Sequence, residues 1–182
     1  GLMFPFLGEQ LRGGQKIDII GCEPLSCPSF TKGVYAYDHG DMARMTPLIK
    51  MHTLGSDFLP PANHSGGLRY HGMSYHLSHL YNLGLMRAKA YGQKDCFEAG
   101  LVFGKSEGII PAPEGNHAVK GAIDAALECK EKGESKTILF NLCGHGYFDM
   151  SAYDDYLNGG MADDYYDEES VNQSLSKLPD AG

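Results

Sequence analysis

Residues 116–142 read NHAVKGAIDAALECKEKGESKTILFNL, and this stretch decides the predicted fold class. Its first part carries one apolar stripe at helical spacing, formed by Val119, Ala122, Ile123, Ala126 and Leu127. Lysines in the last turn and Gly133 just beyond it are typical of a helix end. The second part, Thr137–Leu142, is a continuous apolar run, typical of a strand in a parallel sheet that is covered on both faces. The stretch therefore predicts a helix over 116–132 followed by a buried parallel strand.

Similar elements precede this pair. Helices are predicted over 1–11, 74–83 and 95–105. Strands are predicted over 17–21 and 86–91. Asp95 is the predicted N-cap of its helix, and residues 25–68 show little periodicity, which predicts a long loop that is functional or packed against the body. The order of elements indicates an α/β domain with a mostly parallel sheet. Ligands of such sheets bind at the carboxyl ends of strands, which points to the turn at 143–146.

Composition and charge narrow the class of protein. The chain has 182 residues, of which 42% are apolar and 21% charged, as in an ordinary globular domain. A net charge of −8 argues against a nucleic-acid partner, because phosphate binding needs a basic surface. No apolar run approaches the roughly 20 residues that cross a bilayer, and the first residues lack the basic region of a secretory signal. Five scattered cysteines, an odd number, indicate reduced thiols and a cytoplasmic protein.

The acidity is concentrated at one end of the chain. Residues 151–182 hold 8 acidic side chains and 1 basic side chain, whereas residues 1–150 are nearly neutral. We therefore expect an α/β body over 1–150 and a solvated acidic appendage over 151–182. Four tyrosines among the acidic groups predict that part of this appendage lies on the body.

Two side-chain sets could carry chemistry by themselves. Cys143 and His145 place a thiol and an imidazole two residues apart, but residues at that spacing rarely form a nucleophilic pair. We favour a glycine-rich turn that approaches a planar or anionic ligand closely, with Cys143 pointing at it. Four histidines could suggest zinc: His64, His71, His76 and His79. They lack the HExxH pattern and a nearby cysteine, which favours exposed or hydrogen-bonded rings.

Two glycine-containing loops are further candidates. Residues 66–72, GGLRYHG, are either an ordinary loop with a surface arginine or a loop whose carbonyls or Arg69 face a bound ion, and the sequence leaves both open. Residues 106–118, SEGIIPAPEGNHA, contain two prolines that stiffen the connection between two helices. A stiff loop holds the Glu114 side chain in one direction.

These segments together resemble a known family. The order of SEGIIPAPEGNHA (106–118), NLCGHG (141–146) and GGLRYHG (66–72) in the chain is similar to that in the β chain of tryptophan synthase, in its second, β-like type. Shorter supporting matches are Glu23-Pro24, Cys27-Pro28, 41–48, 53–55 and Pro60-Pro61. The family consists of pyridoxal-phosphate enzymes of fold type II. The resemblance covers essentially the whole chain and weakens only in the acidic segment.

The resemblance implies that the chain is the C-terminal portion of a longer enzyme. Its fold would be the three-layer α/β arrangement, with a mostly parallel sheet, of the large C-terminal domain of fold type II enzymes. Family members hold the cofactor through a lysine in a His-Lys-x-Asn motif, and no lysine here follows a histidine. No catalytic residue is therefore expected in this chain, and alone it should be inactive.

The resemblance also implies roles for individual residues. Cys143 stands where the family usually has a serine that faces the pyridine nitrogen of the cofactor, and Gly144 belongs to the same turn. Glu114 matches a glutamate close to the cofactor ring. Gly1 begins the helix that follows the phosphate-binding loop, and such a helix aims its N–H groups at the phosphate.

Two further roles concern the loop at 66–72. The backbone carbonyls of Gly67, Tyr70 and Gly72 match a loop that holds a monovalent cation. Arg69 stands where the ordinary β chain has an aspartate that recognises the substrate hydroxyl. The arginine implies a more anionic substituent on the substrate, such as a phosphate.

The implied activity is that of a pyridoxal-phosphate-dependent lyase. It would replace the β-substituent of serine, or of a serine derivative such as phosphoserine, with indole to give L-tryptophan. The intact protein would be a homodimer without nucleic-acid or membrane partners. Two alternatives remain at this point: another fold type II reaction, such as serine or threonine deamination, and a non-catalytic interaction domain.

Overall fold

The computed structural model of the chain describes residues 1–163 and 165–180. Its helices are α1 (Met3–Leu11), α2 (Ser29–Lys32), α3 (Tyr75–Asn82), α4 (Gln93–Glu107), α5 (Pro113–Lys132), α6 (Met150–Leu157) and α7 (Glu168–Leu175). Its strands are β1 (Ile20–Pro24), β2 (Val34–His39), β3 (Leu48–Thr53) and β4 (Arg87–Tyr91). The chain is therefore mixed α/β. None of the helices in the described ranges is long and apolar enough to cross a membrane.

Strands β1 and β4 form the parallel pair that the sequence predicts. Their register runs from Ile20 opposite Arg87 to Pro24 opposite Tyr91. Helix α5 packs on β1 so closely that a β-carbon on Gly121 would lie 2.5 Å from the sulfur of Cys22. The absence of a side chain at Gly121 thus lets the long helix lie directly on the strand. The carboxyl ends of both strands point towards the beginning of α5.

Strands β2 and β3 form an antiparallel hairpin that the sequence analysis missed. Val34 lies opposite Thr53, and Tyr37 lies opposite Lys50. The ammonium group of Lys50 lies over the rings of Tyr35 and Tyr37, at 5.0 and 5.8 Å from their centroids. The expectation of a structureless stretch over 25–68 is therefore wrong in this part. Aromatic and basic side chains across the two strands stabilise a sheet face that has little apolar alternation.

The strand predicted over Thr137–Leu142 is wrong. These residues pair with no strand in the described part of the chain, although their composition is apolar. Ile138 and Leu139 are 36% and 61% exposed. The ring of Phe140 touches that of Phe103 of α4 edge-on, with centroids 5.7 Å apart. A strand requires a hydrogen-bonded neighbour as well as an apolar sequence, and here the neighbour is missing.

Helix boundaries differ from the predictions by a few residues. Helices α1, α3 and α5 are confirmed, and α5 ends at Lys132, followed by Gly133 in a left-handed conformation with φ 64°. Helix α4 begins at Gln93 after Gly92 as N-cap, so Asp95 lies in its first turn and is not the cap. A carboxylate in the first turn still interacts favourably with the helix dipole. The strand predicted over 17–21 lies three residues later, as β1.

The acidic segment contains two helices that pack on the body. Tyr153 of α6 is 3% exposed, and its ring meets that of Phe97 with centroids 4.8 Å apart. Val171 of α7 is buried in a cluster with Leu54 and Phe58. Contact of the tyrosines with the body is thus confirmed at Tyr153. Carboxylates of this segment also cap helices: Asp167, for example, accepts hydrogen bonds from two backbone N–H groups of α7.

Candidate functional site

The first turn of α5 is the centre of the candidate site. Pro113 occupies the first position of the helix, where its missing N–H costs nothing. The half-buried side chain of Glu114 follows, and its Oε1 accepts a hydrogen bond from the backbone N–H of Gly67 at 2.8 Å. The N-terminal end of the helix dipole favours a carboxylate at this position. The geometry therefore fixes the glutamate and the glycine loop against each other.

The turn at Cys143–Gly146 is hydrogen-bonded to the segment before α5. The N–H of Gly146 donates to the carbonyl of Ile110 at 2.8 Å. A β-carbon on Gly115 would lie 3.2 Å from the carbonyl oxygen of Cys143, so the turn packs directly on the helix. Gly144 has φ +70°, a conformation that side chains rarely adopt. The structure thus brings Glu114, Gly67 and the Cys143–Gly144 turn together around one helix end.

The thiol of Cys143 is exposed on this turn, and all five cysteines of the chain are free. The imidazole of His145 accepts instead from the backbone N–H of Tyr147, at 3.3 Å from Nδ1. No thiol–imidazole hydrogen bond between Cys143 and His145 occurs among the described residues. Cys143 and His145 therefore do not form a nucleophilic pair in this arrangement.

The loop at 66–72 begins with a short 3-10 turn, Gly66–Leu68. The carbonyl of Leu68 accepts from the buried thiol of Cys27 at 3.3 Å. Arg69 donates from Nε to the carbonyl of Pro61 at 2.8 Å and from Nη2 to that of Pro60 at 2.6 Å. The guanidinium plane is thus fixed by the backbone of the same loop region.

The three carbonyls singled out in the sequence lack a hydrogen-bond donor in the described part of the chain. Within the described ranges, no hydrogen bond is accepted by the carbonyl of Gly67, Tyr70 or Gly72. The carbonyl of His71, which lies between the last two, accepts from the backbone N–H of Leu54 at 2.7 Å. The carbonyl of Arg69 accepts no hydrogen bond in these ranges either, so four carbonyl oxygens of the loop are unbonded.

A buried polar network anchors this loop to the hairpin, and sequence reasoning missed it. The carboxylate of Asp38 is fully buried and accepts from Thr53 Oγ1 at 2.7 Å. The ring of His71 reaches the same place, with Nε2 2.9 Å from the carbonyl of His39 and 4.0 Å from Asp38 Oδ2. Asp38 lies opposite Ile49 and Thr53 lies opposite Val34, so their contact is a tertiary one that neither the sequence nor the hairpin register reveals.

The remaining sequence candidates lie apart from this site. Gly1 is exposed, with open space around it, and makes no contact with Glu114 or Cys143 among the described residues. His76 touches the rings of Phe4 and Tyr75. In the ranges that the structure describes, no three His, Cys, Asp or Glu side chains converge as metal ligands. The zinc alternative therefore lacks a ligand set there.

No protein-family model matches the chain. It is 57% identical over 166 residues to the tryptophan synthase beta chain 2 of Aquifex aeolicus, covering 90% of this chain and 38% of that protein. It is 55% identical over 161 residues to the tryptophan synthase beta chain 2 of Methanosarcina mazei, covering 88% and 36%. It is 49% identical over 179 residues to the tryptophan synthase beta chain of Pyrococcus horikoshii, covering 98% and 39%.

The chain thus spans between 36% and 39% of the length of these relatives. Each match runs through nearly all of this chain, including Glu114 and the turn at 143–146 in the match of 179 residues. With identities of 49% to 57% over such lengths, the chain belongs to the tryptophan synthase beta chain family.

Proposed function

We propose that the chain is the C-terminal portion of a pyridoxal-phosphate-dependent lyase of the tryptophan synthase type. The intact enzyme would replace the β-substituent of serine, or of a serine derivative, with indole and release L-tryptophan. Residues 1–150 would supply part of a three-layer cofactor domain of fold type II, and residues 151–182 an acidic appendage to it. The names of the relatives support this assignment.

The observation that carries the proposal is the assembly around the first turn of α5. Glu114 is held by Gly67, and the Cys143–Gly144 turn packs on Gly115, which offers no side chain. The exposed thiol of Cys143 and the half-buried carboxylate of Glu114 are the groups of this assembly that would meet the pyridine ring of pyridoxal phosphate. When bound, this cofactor withdraws electrons from the substrate and so allows its β-substituent to leave.

The residues of this chain would orient and tune that chemistry. The Cys143 thiol would face the pyridine nitrogen as a neutral, weak hydrogen-bond partner, so the nitrogen would stay largely unprotonated. The carboxylate of Glu114 would lie beside the ring as a proton acceptor, and the hydrogen bond from the Gly67 N–H would fix its orientation. The N-terminus of α1, which Gly1 precedes by two residues, would face the cofactor phosphate.

The loop at 66–72 would contribute to both cation and substrate binding. The unbonded carbonyls of Gly67, Tyr70 and Gly72 supply oxygen ligands of the type that a monovalent cation takes. The guanidinium of Arg69, fixed by the carbonyls of Pro60 and Pro61, would recognise an anionic substituent such as a phosphate.

The catalytic lysine would lie in the part of the longer protein that is outside this chain. The longer protein would form a homodimer. Tryptophan formation from serine and indole, measured with pyridoxal phosphate present, tests the proposal. The longer protein should form tryptophan, and the 182-residue chain should form none. Tryptophan formation by the chain alone would contradict the proposed location of the lysine. Pyruvate formed equally with and without indole would identify a deaminase instead.

Two variants of the longer protein test the site residues. Cys143→Ser restores the usual family residue and should keep tryptophan formation while shifting the absorbance of the bound cofactor. Arg69→Ala should reduce the preference for phosphoserine over serine. An unchanged preference would show that Arg69 only holds the Pro60–Pro61 loop.

A further inference from the structure

A small cavity of about 10 Å³ lies between the carboxyl ends of β1 and β4 and the beginning of α5. Polar side chains line it, among them Ser26, Asn63, Ser65 and His117. Both serines and the histidine are buried. A volume of this size is about what one water molecule needs, and polar walls are what keeps such a molecule in place.

His117 presents an unsatisfied acceptor in this region. Its ring is 3% exposed, and Nδ1 lies 3.1 Å from the carbonyl of Pro113 in its own helix. A carbonyl can only accept, so Nδ1 carries the hydrogen and Nε2 carries a lone pair. Nε2 is buried and has no hydrogen-bond partner in the described part of the chain. Burial lowers the pKa of the ring, which keeps it neutral and keeps Nε2 an acceptor.

The other polar groups of the cavity can form hydrogen bonds to a small bound molecule. Asn63 donates from Nδ2 to Ser26 Oγ at 2.7 Å, and its Oδ1 accepts from the backbone N–H of Ser65 at 3.0 Å. In the part of the chain that the structure describes, the hydroxyl of Ser26 has only the sulfur of Cys27, at 4.0 Å, as its acceptor. That contact is weak, so the hydroxyl can donate elsewhere. A molecule that both donates and accepts hydrogen bonds is required to satisfy His117 and these groups together.

We propose that this cavity binds one water molecule, which donates a hydrogen bond to His117 Nε2 and is held by Ser26 and Asn63. Water has the size and the paired donor and acceptor capacity that the site demands. The bound water connects α5 to residues 63–65, the segment that leads into Gly66–Leu68. It therefore helps to hold Gly67 opposite Glu114, independently of which reaction the site performs.

The site is tested first in the unmodified chain of 182 residues. A high-resolution crystal structure should show an ordered oxygen about 2.7–3.2 Å from His117 Nε2. Nuclear magnetic resonance should show His117 as the neutral Nδ1–H tautomer and a long-lived water signal at its ring. An empty cavity, an Nε2–H tautomer, or the Ser26 hydroxyl bonded directly to Nε2 would overturn the proposal.

Two substitutions of His117 distinguish the contributions of its two ring nitrogens. The amide of His117→Asn reaches only the position of Nδ1, whereas the amide of His117→Gln reaches that of Nε2. The long-lived water should be lost in His117→Asn and kept in His117→Gln. A water that persists in both variants would show that His117 does not hold it. If neither variant folds, the measurements on the unmodified chain decide.

Discussion

The carboxylate of Glu114 accepts a hydrogen bond from the backbone N–H of Gly67 at 2.8 Å, across 47 positions of the chain. A β-carbon on Gly67 would lie 3.0 Å from Glu114 Oε1 and 3.2 Å from its Cγ. The neighbouring Gly66 has open space where its β-carbon would stand. The space for a β-carbon is therefore filled by the glutamate at Gly67 and open at the adjacent Gly66.

Gly67→Ala should push the Glu114 carboxylate away, while Gly66→Ala should leave it in place. The displaced group is the flexible end of a side chain, so both variants should keep their stability within about 0.5 kcal/mol. The carboxyl carbon chemical shift of Glu114 should change only in Gly67→Ala. Equal shifts in the two variants would show that the contact does not depend on the glycine.

Gly100 of α4 should not tolerate alanine, because its β-carbon would lie 2.6 Å from Cγ of the fully buried Asn116 in α5. Overpacking of this kind costs about 1–3 kcal/mol. Gly104 of the same helix is the matched control, since its β-carbon would meet only a carbonyl at 3.5 Å. Gly104→Ala should stabilise by up to about 1 kcal/mol through helix propensity. Urea unfolding measures both, and similar signs for the two would contradict the close contact.

Tyr153→Phe should weaken the packing of α6 on the body. The hydroxyl of Tyr153 donates to the carbonyl of Pro111 at 2.6 Å and accepts from Asn116 Nδ2 at 3.0 Å. Its loss leaves buried polar atoms without a partner, which costs about 1–3 kcal/mol. Tyr156→Phe is the control, because Tyr156 stacks on the same Phe97 ring and should change stability by less than about 0.5 kcal/mol. Equal losses in thermal unfolding would refute this role of the hydroxyl.

Local signals in the sequence predicted the helices well. The glycine after α5 marks the end of the helix, since this depends on near neighbours in the chain. The apolar stripe does not mark the buried face: of its five residues only Val119 is buried, and Leu127 is 51% exposed. The N-cap of α4 was misplaced because Asp95 suits the first turn as well as the cap position. The run at Thr137–Leu142 shows the limit of this approach. Its composition is that of a buried strand, but pairing depends on residues elsewhere.

The candidate site was harder to predict than the helices, because it depends on contacts between residues that are far apart in the chain. The family resemblance suggested Glu114, Cys143 and Gly67 separately, and their convergence on α5 required the three-dimensional structure. The contact of Asp38 with Thr53 was missed because the two residues do not lie opposite each other in the hairpin and no local pattern marks their contact. His117 carried no signal either, since a histidine inside a helix is common and its burial is a tertiary property.

The stability of the chain should fall below about pH 6.5 in part through His117. Burial lowers the pKa of its ring in the folded state below the ordinary value of 6.5, so the unfolded chain binds more protons as the pH falls. The stabilisation is therefore fully present above pH 6.5 and is lost progressively towards the lower pKa of the folded state. His117→Asn removes this titration and leaves that of His52, whose pKa burial also lowers.

The quantity to measure is the difference in unfolding free energy between the unmodified chain and His117→Asn, from pH 8 to pH 5. The difference should be constant above about pH 7 and should shrink below about pH 6.5, with a slope of at most about 1.4 kcal/mol per pH unit. Contributions from other titrating groups are common to both proteins and cancel. A difference that stays constant down to pH 5 would mean that the ring is protonated equally in the folded and unfolded states, contrary to its burial.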